Sequence, residues 1–318
     1  MQTDTKATSI DIREKFKSFL YRKSFTKRIW ELDFIRGLCI ALMIMDHFMM
    51  LIYAEFSFAW CNVTYNAISN SFVYDGLASS VWICNLAQNY INGSLRFYGH
   101  IVVVFLFFSI CGISCSLSKS NLKRGLILAA VALVWSVATY IGEYVLDMGQ
   151  IFVHFGVLHF LAFCILFYCL LDYICFKNKI AKMAISGAIV VVVMVLYHYY
   201  RPDHSIDGIF AFVFDNSSEY GIPIEFNYHF NNLSSFSPGD YFSIIPWSAF
   251  FFFGTFIQPY LYSEKKSLLP KLDHKWQKPL SFLGRHGLII YILHVIILAV
   301  VLMLISVIFL TPGNWVLF

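Results

Sequence analysis

The distribution of basic residues around the long apolar runs is the feature that most constrains this chain. Each of seven runs is long enough to cross a hydrocarbon core of about 30 Å as a helix of roughly 20 residues. They cover residues 34–56, 98–118, 122–142, 151–176, 180–200, 241–262 and 288–310. Nearly all of the 23 Lys and Arg residues lie before the first run, at its start, or in and next to every second connection between successive runs. The exceptions are Arg96 and Arg201. The positive-inside rule therefore predicts a cytoplasmic N-terminus and seven crossings.

Composition supports a membrane protein. The chain is 59% hydrophobic with a mean hydropathy of +0.67, whereas about half of the residues are apolar in soluble domains. Backbone groups in lipid must be satisfied within each segment, so we expect an all-α integral membrane protein, a bundle of about seven transmembrane helices. The sidedness of the +4 net charge suits anionic lipid of the inner leaflet and not nucleic acid. We expect a multi-pass protein of the plasma (inner) membrane.

The segments outside the runs differ in character. Residues 1–27 are basic with apolar residues on one helical face, which predicts an amphipathic cytoplasmic segment; residues 28–318 form the membrane domain. The first external connection contains an apolar stretch at 81–91, too short to span, which we interpret as an interfacial or re-entrant helix. It also contains Cys61 and Cys84, which could pair if the exterior is oxidising, although their spacing does not decide this.

The first run contains ionisable residues at helical spacing. Asp33, Arg36 and His47 share one face of a helix, with His47 roughly 21 Å beyond Asp33 along the axis. Asp46 is adjacent to His47 but about 100° away around the helix, so a regular helix prevents it from orienting the imidazole. Ionisable groups at this depth usually mark a functional path. For Asp33 and Arg36, anchoring at the lipid headgroups is the alternative interpretation.

Two further histidines, His159 and His294, lie inside apolar runs. Together with His47 they are candidates for acid/base groups or metal ligands. No His-x₃-His or Cys-x₂-Cys spacing supports a metal, so we expect none. Each histidine taken alone could instead be a hydrogen-bonded core residue.

Two other apolar runs contain residues with a predicted chemical or structural role. Ser109, Ser114 and Ser116 could donate hydrogen bonds to an oxyanion, although serine in membrane helices more often serves close packing. The dipeptide Pro246-Trp247 should kink the sixth run near its outer end.

Five sequence motifs occur in an order that resembles a bacterial membrane-protein family, whose members are similar to the catalytic domain of heparan-α-glucosaminide N-acetyltransferase. More distantly, the opening resembles the type 3 membrane acyltransferases, through an Asp-x-x-Arg-Gly start and a later intramembrane histidine. The motifs are Asp33-Phe-Ile-Arg36-Gly37 with Asp46-His47, Phe107 to Ser118, Phe155-Gly156-Val-Leu-His159-Phe160, Asp240 to Trp247, and Leu283-Gly284-Arg285-His286 with Tyr291-Ile-Leu-His294.

The resemblance implies a transmembrane acyltransferase. It would transfer an acyl group, most simply acetyl from cytoplasmic acetyl-CoA, to an amine or hydroxyl of an external sugar or glycan. The human member's proposed catalytic histidine lies in the first external loop, but residues 57–97 contain no histidine here, and His47 matches the bacterial pattern. Catalytic candidates are His47, Asp46, His159 and His294. Candidates for binding the CoA are Asp33, Arg36, Lys123, Arg124 and Arg285.

Two other classes of function remain open. A proton-coupled transporter or flippase would use Asp46 and the histidines as an intramembrane relay, although the sequence shows no repeat symmetry of the kind common in transporters. A sensor or assembly factor is the third interpretation. The oligomeric state stays open, with a homodimer as one possibility.

Overall fold

A computed structural model describes residues 28–66, 69, 71–118, 120–147, 151–175, 178–199, 213 and 240–309, the side chains of 308 and 309 excepted. The amphipathic segment predicted at 1–27 lies outside the described residues, as does most of the second external connection.

The described chain is mainly helical, with one β-hairpin in the first external connection. In α1 the α-helix runs to Leu51 and continues through a π-helical turn, Ile52–Phe56, into a last α-turn. Short 3₁₀ turns at Pro270–Leu272 and Lys275–Gln277 precede α8. The elements are α1 (Trp30–Trp60), β1 (Asn62–Asn66), β2 (Ser71–Asp75), α2 (Ala78–Ile91), α3 (Ser94–Leu117), α4 (Asn121–Tyr144), α5 (Val157–Ile174), α6 (Lys179–Tyr199), α7 (Ser248–Leu261), α8 (Lys278–Arg285) and α9 (Gly287–Phe309).

Among the described residues, six helices are long and apolar enough to cross a membrane: α1, α3, α4, α5, α6 and α9. The remaining predicted run, 241–262, contains α7, which has 14 residues and begins at Ser248. Proline has no N–H to donate and disfavours a helical conformation in the residue before it, so the helix begins after Pro246. The expected kink at Pro246-Trp247 is therefore wrong, and the proline inside this helix is Pro259.

The first external connection has more structure than its sequence led us to expect. The short apolar stretch is helical, as predicted, in α2, but no strand was expected and β1 pairs with β2 as an antiparallel hairpin. The amide of Gln88 on α2 binds the backbone of Phe72 twice, accepting from its N–H at 2.8 Å and donating to its carbonyl at 3.0 Å. This contact covers part of the hairpin's open edge.

The chain divides into two compact units. Unit 1 comprises Met1–Ile29 and Phe107–Leu268, and unit 2 comprises Trp30–Leu106 and Leu269–Phe318. In unit 1, α3 and α7 approach backbone to backbone, because a Cβ at Gly254 would collide with the carbonyl oxygen of Ser109. Small residues allow such close approach between membrane helices.

In unit 2, α1 packs on α8 through a pair of glycines. A Cβ at Gly37 would collide with the carbonyl oxygen of Leu280, and one at Gly284 would collide with the carbonyl oxygen of Asp33. The rings of Trp30, Phe34 and Trp276 pack beside this contact. The Asp33-to-Gly37 and Gly284-Arg285 motifs, far apart in sequence, thus form one contact.

The two long helices of unit 2, α1 and α9, run parallel. A Cβ built at Gly287 lies 2.8 Å from Ile40 Cδ1, the rings of His47 and His294 are 4.9 Å apart, and Trp60 Nε1 donates to Ser306 Oγ at 2.7 Å. Residue numbers therefore increase in the same direction along α1 and α9. Helices that cross a membrane in the same direction must be separated by an odd number of further crossings, so this pairing favours seven crossings in which α7 and its preceding residues complete the sixth.

The glycine contact between α1 and α8 generates the first prediction. We expect Gly37→Ala and Gly284→Ala each to destabilise the protein by about 3 kcal/mol, because the added methyl group meets backbone that cannot move aside. Gly99→Ala on α3 is the matched control: nothing lies within 4 Å of its Cβ, and alanine is the better helix former. Thermal unfolding in detergent measures all three variants. Equal melting temperatures for Gly284→Ala and Gly99→Ala would contradict the packing.

Candidate functional site

Asp46 on α1 is the centre of a buried polar cluster in unit 2. Its carboxylate accepts two hydrogen bonds from the Arg96 guanidinium, Nε to Oδ1 at 2.7 Å and Nη2 to Oδ2 at 3.0 Å. The Tyr90 hydroxyl donates a third to Oδ1 at 3.1 Å, and His100 interacts with the carboxylate electrostatically. Three elements, α1, α2 and α3, are thereby joined at one carboxylate.

The partners of Asp46 come from the first turn of α3 and the end of α2. Arg96 is 4% exposed, and its bidentate pair with Asp46 compensates its buried charge. Burial raises the pKa of Tyr90 to about 12, and the negative charge of Asp46 acts in the same direction. The phenol therefore keeps its proton at any physiological pH and stays a donor.

His47 and His294 face each other across the α1–α9 contact. Their ring centroids are 4.9 Å apart and the rings are nearly perpendicular, at 87°. His294 is 5% exposed, whereas His47 is half-buried. The sequence identified both as candidates, and their proximity depends on the parallel arrangement of the two helices.

The backbone sets the tautomer of each ring. Nδ1 of His47 lies 2.9 Å from the carbonyl oxygen of Met43, and Nδ1 of His294 lies 2.6 Å from that of Tyr291. A carbonyl only accepts, so in the neutral rings Nδ1 carries the proton and Nε2 offers a lone pair. Nε2 of His294 is buried without a hydrogen-bond partner among the described residues. The pair can therefore accept a proton from a bound hydroxyl or amine.

A second charged cluster lies where α1 begins. Asp33 Oδ1 accepts from Arg36 at 3.5 Å, and Asp33 Oδ2 accepts from Arg285 Nε at 3.1 Å. Arg36 also donates to the carbonyl oxygen of Gly284 at 3.4 Å. Two guanidinium groups thus share the Asp33 carboxylate. The Arg285 side chain is 44% exposed and is available to an anion.

His159 belongs to unit 1, where it lies at the start of α5. Its Nδ1 accepts from the Gly156 N–H at 3.3 Å, so Nε2 carries the proton and donates to Ser136 Oγ at 3.1 Å. Asp240 Oδ2 accepts from the Val157 N–H at 2.7 Å. A carboxylate at a helix N-terminus is favourable, so these contacts organise the start of α5.

The other candidates in unit 1 are placed as follows. Lys123 and Arg124 are exposed in the first turn of α4, which is capped by Ser120. Ser109 and Ser114 donate to the carbonyl oxygens of Phe250 and Ile110, and Ser116 shares a hydrogen bond with Tyr168. Ser109 and Ser116 thus bond to neighbouring helices, whereas Ser114 bonds to the backbone of its own helix.

The sequence did not single out Arg96, Tyr90 or His100 as site residues. The available signal was Arg96, one of two cations on the predicted outer side of the membrane. A buried cation needs a buried anion, and Asp46 was the intramembrane carboxylate without an assigned partner. No group of three or more His, Cys, Asp or Glu side chains that could hold a metal ion occurs within the part of the chain that the structure describes.

The Asp46–Arg96 pair generates the second prediction. We expect Arg96→Gln and Asp46→Asn each to lose roughly 3 kcal/mol of stability, because either change leaves a buried charge unpaired. The double variant should recover much of this loss, since it contains neither charge. Thermal unfolding of the four proteins gives the coupling energy.

A second ion pair is the matched control for this cycle. Lys266 and Glu264 are 2.9 Å apart but 76% and 73% exposed, so their cycle should show no measurable coupling. Additive losses from Arg96→Gln and Asp46→Asn would contradict the proposed pair.

Comparison with known proteins identifies the family. The sequence model of heparan-alpha-glucosaminide N-acetyltransferase, catalytic, matches residues 72–296, more than two thirds of the chain. The matched region includes Arg96, His159, Arg285 and His294 and begins after Asp46 and His47. No curated protein and no solved structure matches the chain. By this match, the chain belongs to the heparan-alpha-glucosaminide N-acetyltransferase catalytic family.

Proposed function

We propose that this membrane protein is an acetyltransferase that takes an acetyl group from cytoplasmic acetyl-CoA and transfers it to an amine or hydroxyl of an extracytoplasmic sugar or glycan. The His47–His294 pair is the observation that carries the proposal. It offers two proton acceptors, Nε2 of each ring, at one place between two apolar helices. Membership of the family supplies the class of reaction.

His47 is the proposed general base. Nε2 of its ring takes the proton of the acceptor group as that group attacks the thioester carbonyl. The C–S bond breaks, the acetyl group passes to the acceptor, and the thiolate of CoA leaves and takes up a proton. His294, more deeply buried against His47, receives or shares the proton in this step.

Asp46 is proposed to be a positioning residue. Its carboxylate binds Arg96 and Tyr90 and lies on a different face of α1 from the His47–His294 contact. It fixes α1 against α2 and α3 next to the base. The same contacts weigh against the transporter, because a carboxylate held by a buried guanidinium is a poor carrier in a proton relay.

The cluster at the start of α1 is proposed to bind the CoA phosphates. Asp33 orients Arg36 and Arg285, and guanidinium groups suit phosphate geometrically. His47 lies roughly 21 Å further along α1, a span that the pantetheine arm would follow. Lys123 and Arg124 remain predicted contributors to phosphate binding, and His159 remains a predicted assisting group.

The biological setting is part of the same proposal. The apolar helices support a multi-pass membrane protein, and the charge distribution supports an N-terminus inside. We propose the plasma (inner) membrane as its location. Lipid, acyl-CoA and an external glycan are the expected partners, with a homodimer as one possible assembly. No metal is required by the proposed chemistry.

The catalytic assignment generates the third prediction. Purified protein in liposomes, given radiolabelled acetyl-CoA and a pool of surface glycans, should transfer label to a glycan. We expect His47→Ala to lower the rate by about 10²–10⁴-fold, as loss of a general base does, and His294→Ala to lower it by a smaller factor. His198→Ala, at an exposed site at the end of α6, should leave the rate unchanged.

The assay separates the proposal from its competitors. Equal label transfer by wild type and His47→Ala would exclude His47 as the base. Uptake of solute by the same liposomes without acetyl-CoA, together with no label transfer, would identify a transporter.

The donor site generates the fourth prediction. We expect Arg285→Gln to raise the KM for acetyl-CoA by about tenfold with little change in kcat, because one charge-assisted phosphate contact is lost in ground and transition state alike. Lys266→Gln, which removes an exposed cytoplasmic cation paired with Glu264, should leave KM unchanged. An unaltered KM in Arg285→Gln would place the phosphates elsewhere.

A further inference from the structure

Cys61 and Cys84 meet beneath the β-hairpin of unit 2. Their sulfur atoms are 3.8 Å apart, Cys61 is 8% exposed and Cys84 is completely buried. Cys61 directly follows α1, and Cys84 lies in the middle of α2. The surrounding core includes Trp60, Tyr74 and other apolar residues of the same unit.

The backbone at both cysteines is held by contacts that do not involve the thiols. The Cys61 N–H donates to the carbonyl oxygen of Ser57 at 3.0 Å, and Cys84 lies within the hydrogen-bonded helix α2. The Cys61 thiol also contacts Ser80 Oγ at 3.5 Å. The fold therefore brings the two sulfur atoms to 3.8 Å from each other while both cysteines are free.

The compartment is set by the charge pattern. Residues 57–97 follow the first crossing, and their connection contains one cation, Arg96, against the many on the N-terminal side. That distribution places the hairpin and α2 outside the cytoplasm, where disulfides form and persist.

We propose that Cys61 and Cys84 form a structural disulfide that ties the outer end of α1 to α2. The Cys61 thiolate attacks a sulfur of an external disulfide oxidant and releases one thiol of that oxidant. The Cys84 thiolate then attacks the resulting mixed disulfide, which forms the internal S–S bond and releases the second thiol. The two cysteines lose two protons and two electrons, and the oxidant is reduced to a dithiol or two thiols.

The proposed disulfide has a structural role and does not act as a redox switch. Burial, with a contribution from the neighbouring Cys61, raises the pKa of the Cys84 thiol to about 12. Thiolate is the reactive form, so the folded, reduced pair reacts slowly and the bond is made before α2 is fully packed. The proposed disulfide also holds a helix that contributes to the Asp46 cluster, because the last turn of α2 contains Tyr90, which donates to Asp46.

A thiol count on the wild-type protein tests the proposal directly. Full-length protein, made in cells with an intact extracytoplasmic thiol-oxidation system, is denatured without reductant and treated with a maleimide. Six of the eight cysteines should react at once and two only after reduction, and proteolysis should release a peptide pair linked through Cys61 and Cys84. Eight reactive thiols before reduction, or a link between other cysteines, would overturn the proposal.

Stability provides the second, independent measurement. The bond closes a segment with a sequence separation of 23 residues, so we expect the melting temperature of Cys61→Ser/Cys84→Ser to be about 5–10 °C below that of the wild type. Reducing the denatured wild type and refolding it with reductant should remove this difference. Cys175→Ser, which changes a cysteine at the end of α5, should behave as the wild type does with and without reductant. If the double variant fails to fold, the thiol count on the wild type still decides.

Discussion

The parallel contact between α1 and α9 organises unit 2. Polar groups in a membrane helix must find partners inside the protein, and this contact supplies one such pair, because Trp60 donates to Ser306. The same contact places His47 against His294. Near the start of α9, the absence of a side chain at Gly287 leaves room for the Ile40 side chain. One register thus fixes the packing, the proximity of the two imidazoles and the common direction of the two helices. The common direction agrees with the predicted seven crossings, whereas helix length and composition identify six candidate spans among the described residues.

The start and the middle of α1 contain two different charged clusters. At its start, the Asp33 carboxylate is shared by two guanidinium groups. Further along, Asp46 is opposed by Arg96 in a bidentate pair that is formally neutral. In the proposed function, an anionic donor would bind the exposed Arg285 of the first cluster, whereas the second cluster joins α1 to α2 and α3. The proposed reaction, with CoA at one end and a sugar at the other, follows this asymmetry.

The sequence predicted what depends on local pattern and missed what depends on distant pairing. Apolar run length and charge gave the membrane helices, and helical spacing correctly separated Asp46 from the His47 face. It did not give the partner of Asp46, because Arg96 is 50 residues away and its burial follows from the tertiary packing of α2 and α3. The β-hairpin was missed although Val63, Thr64 and Tyr74 are good strand formers, because each strand has five residues. For α7, the prediction used only the length of the apolar run and did not consider that Pro246 determines where the helix begins.

The environments of the two histidines support different roles for them in the proposed reaction. Both rings have Nδ1 bound to a carbonyl, so they present equivalent Nε2 atoms. Their ring centroids are 4.9 Å apart, so a proton taken up by one ring lies beside the other. His294 is 5% exposed, so in the proposed reaction an incoming acceptor would reach the half-buried His47 first. The more deeply buried His294 would then receive or share the proton as the acceptor attacks.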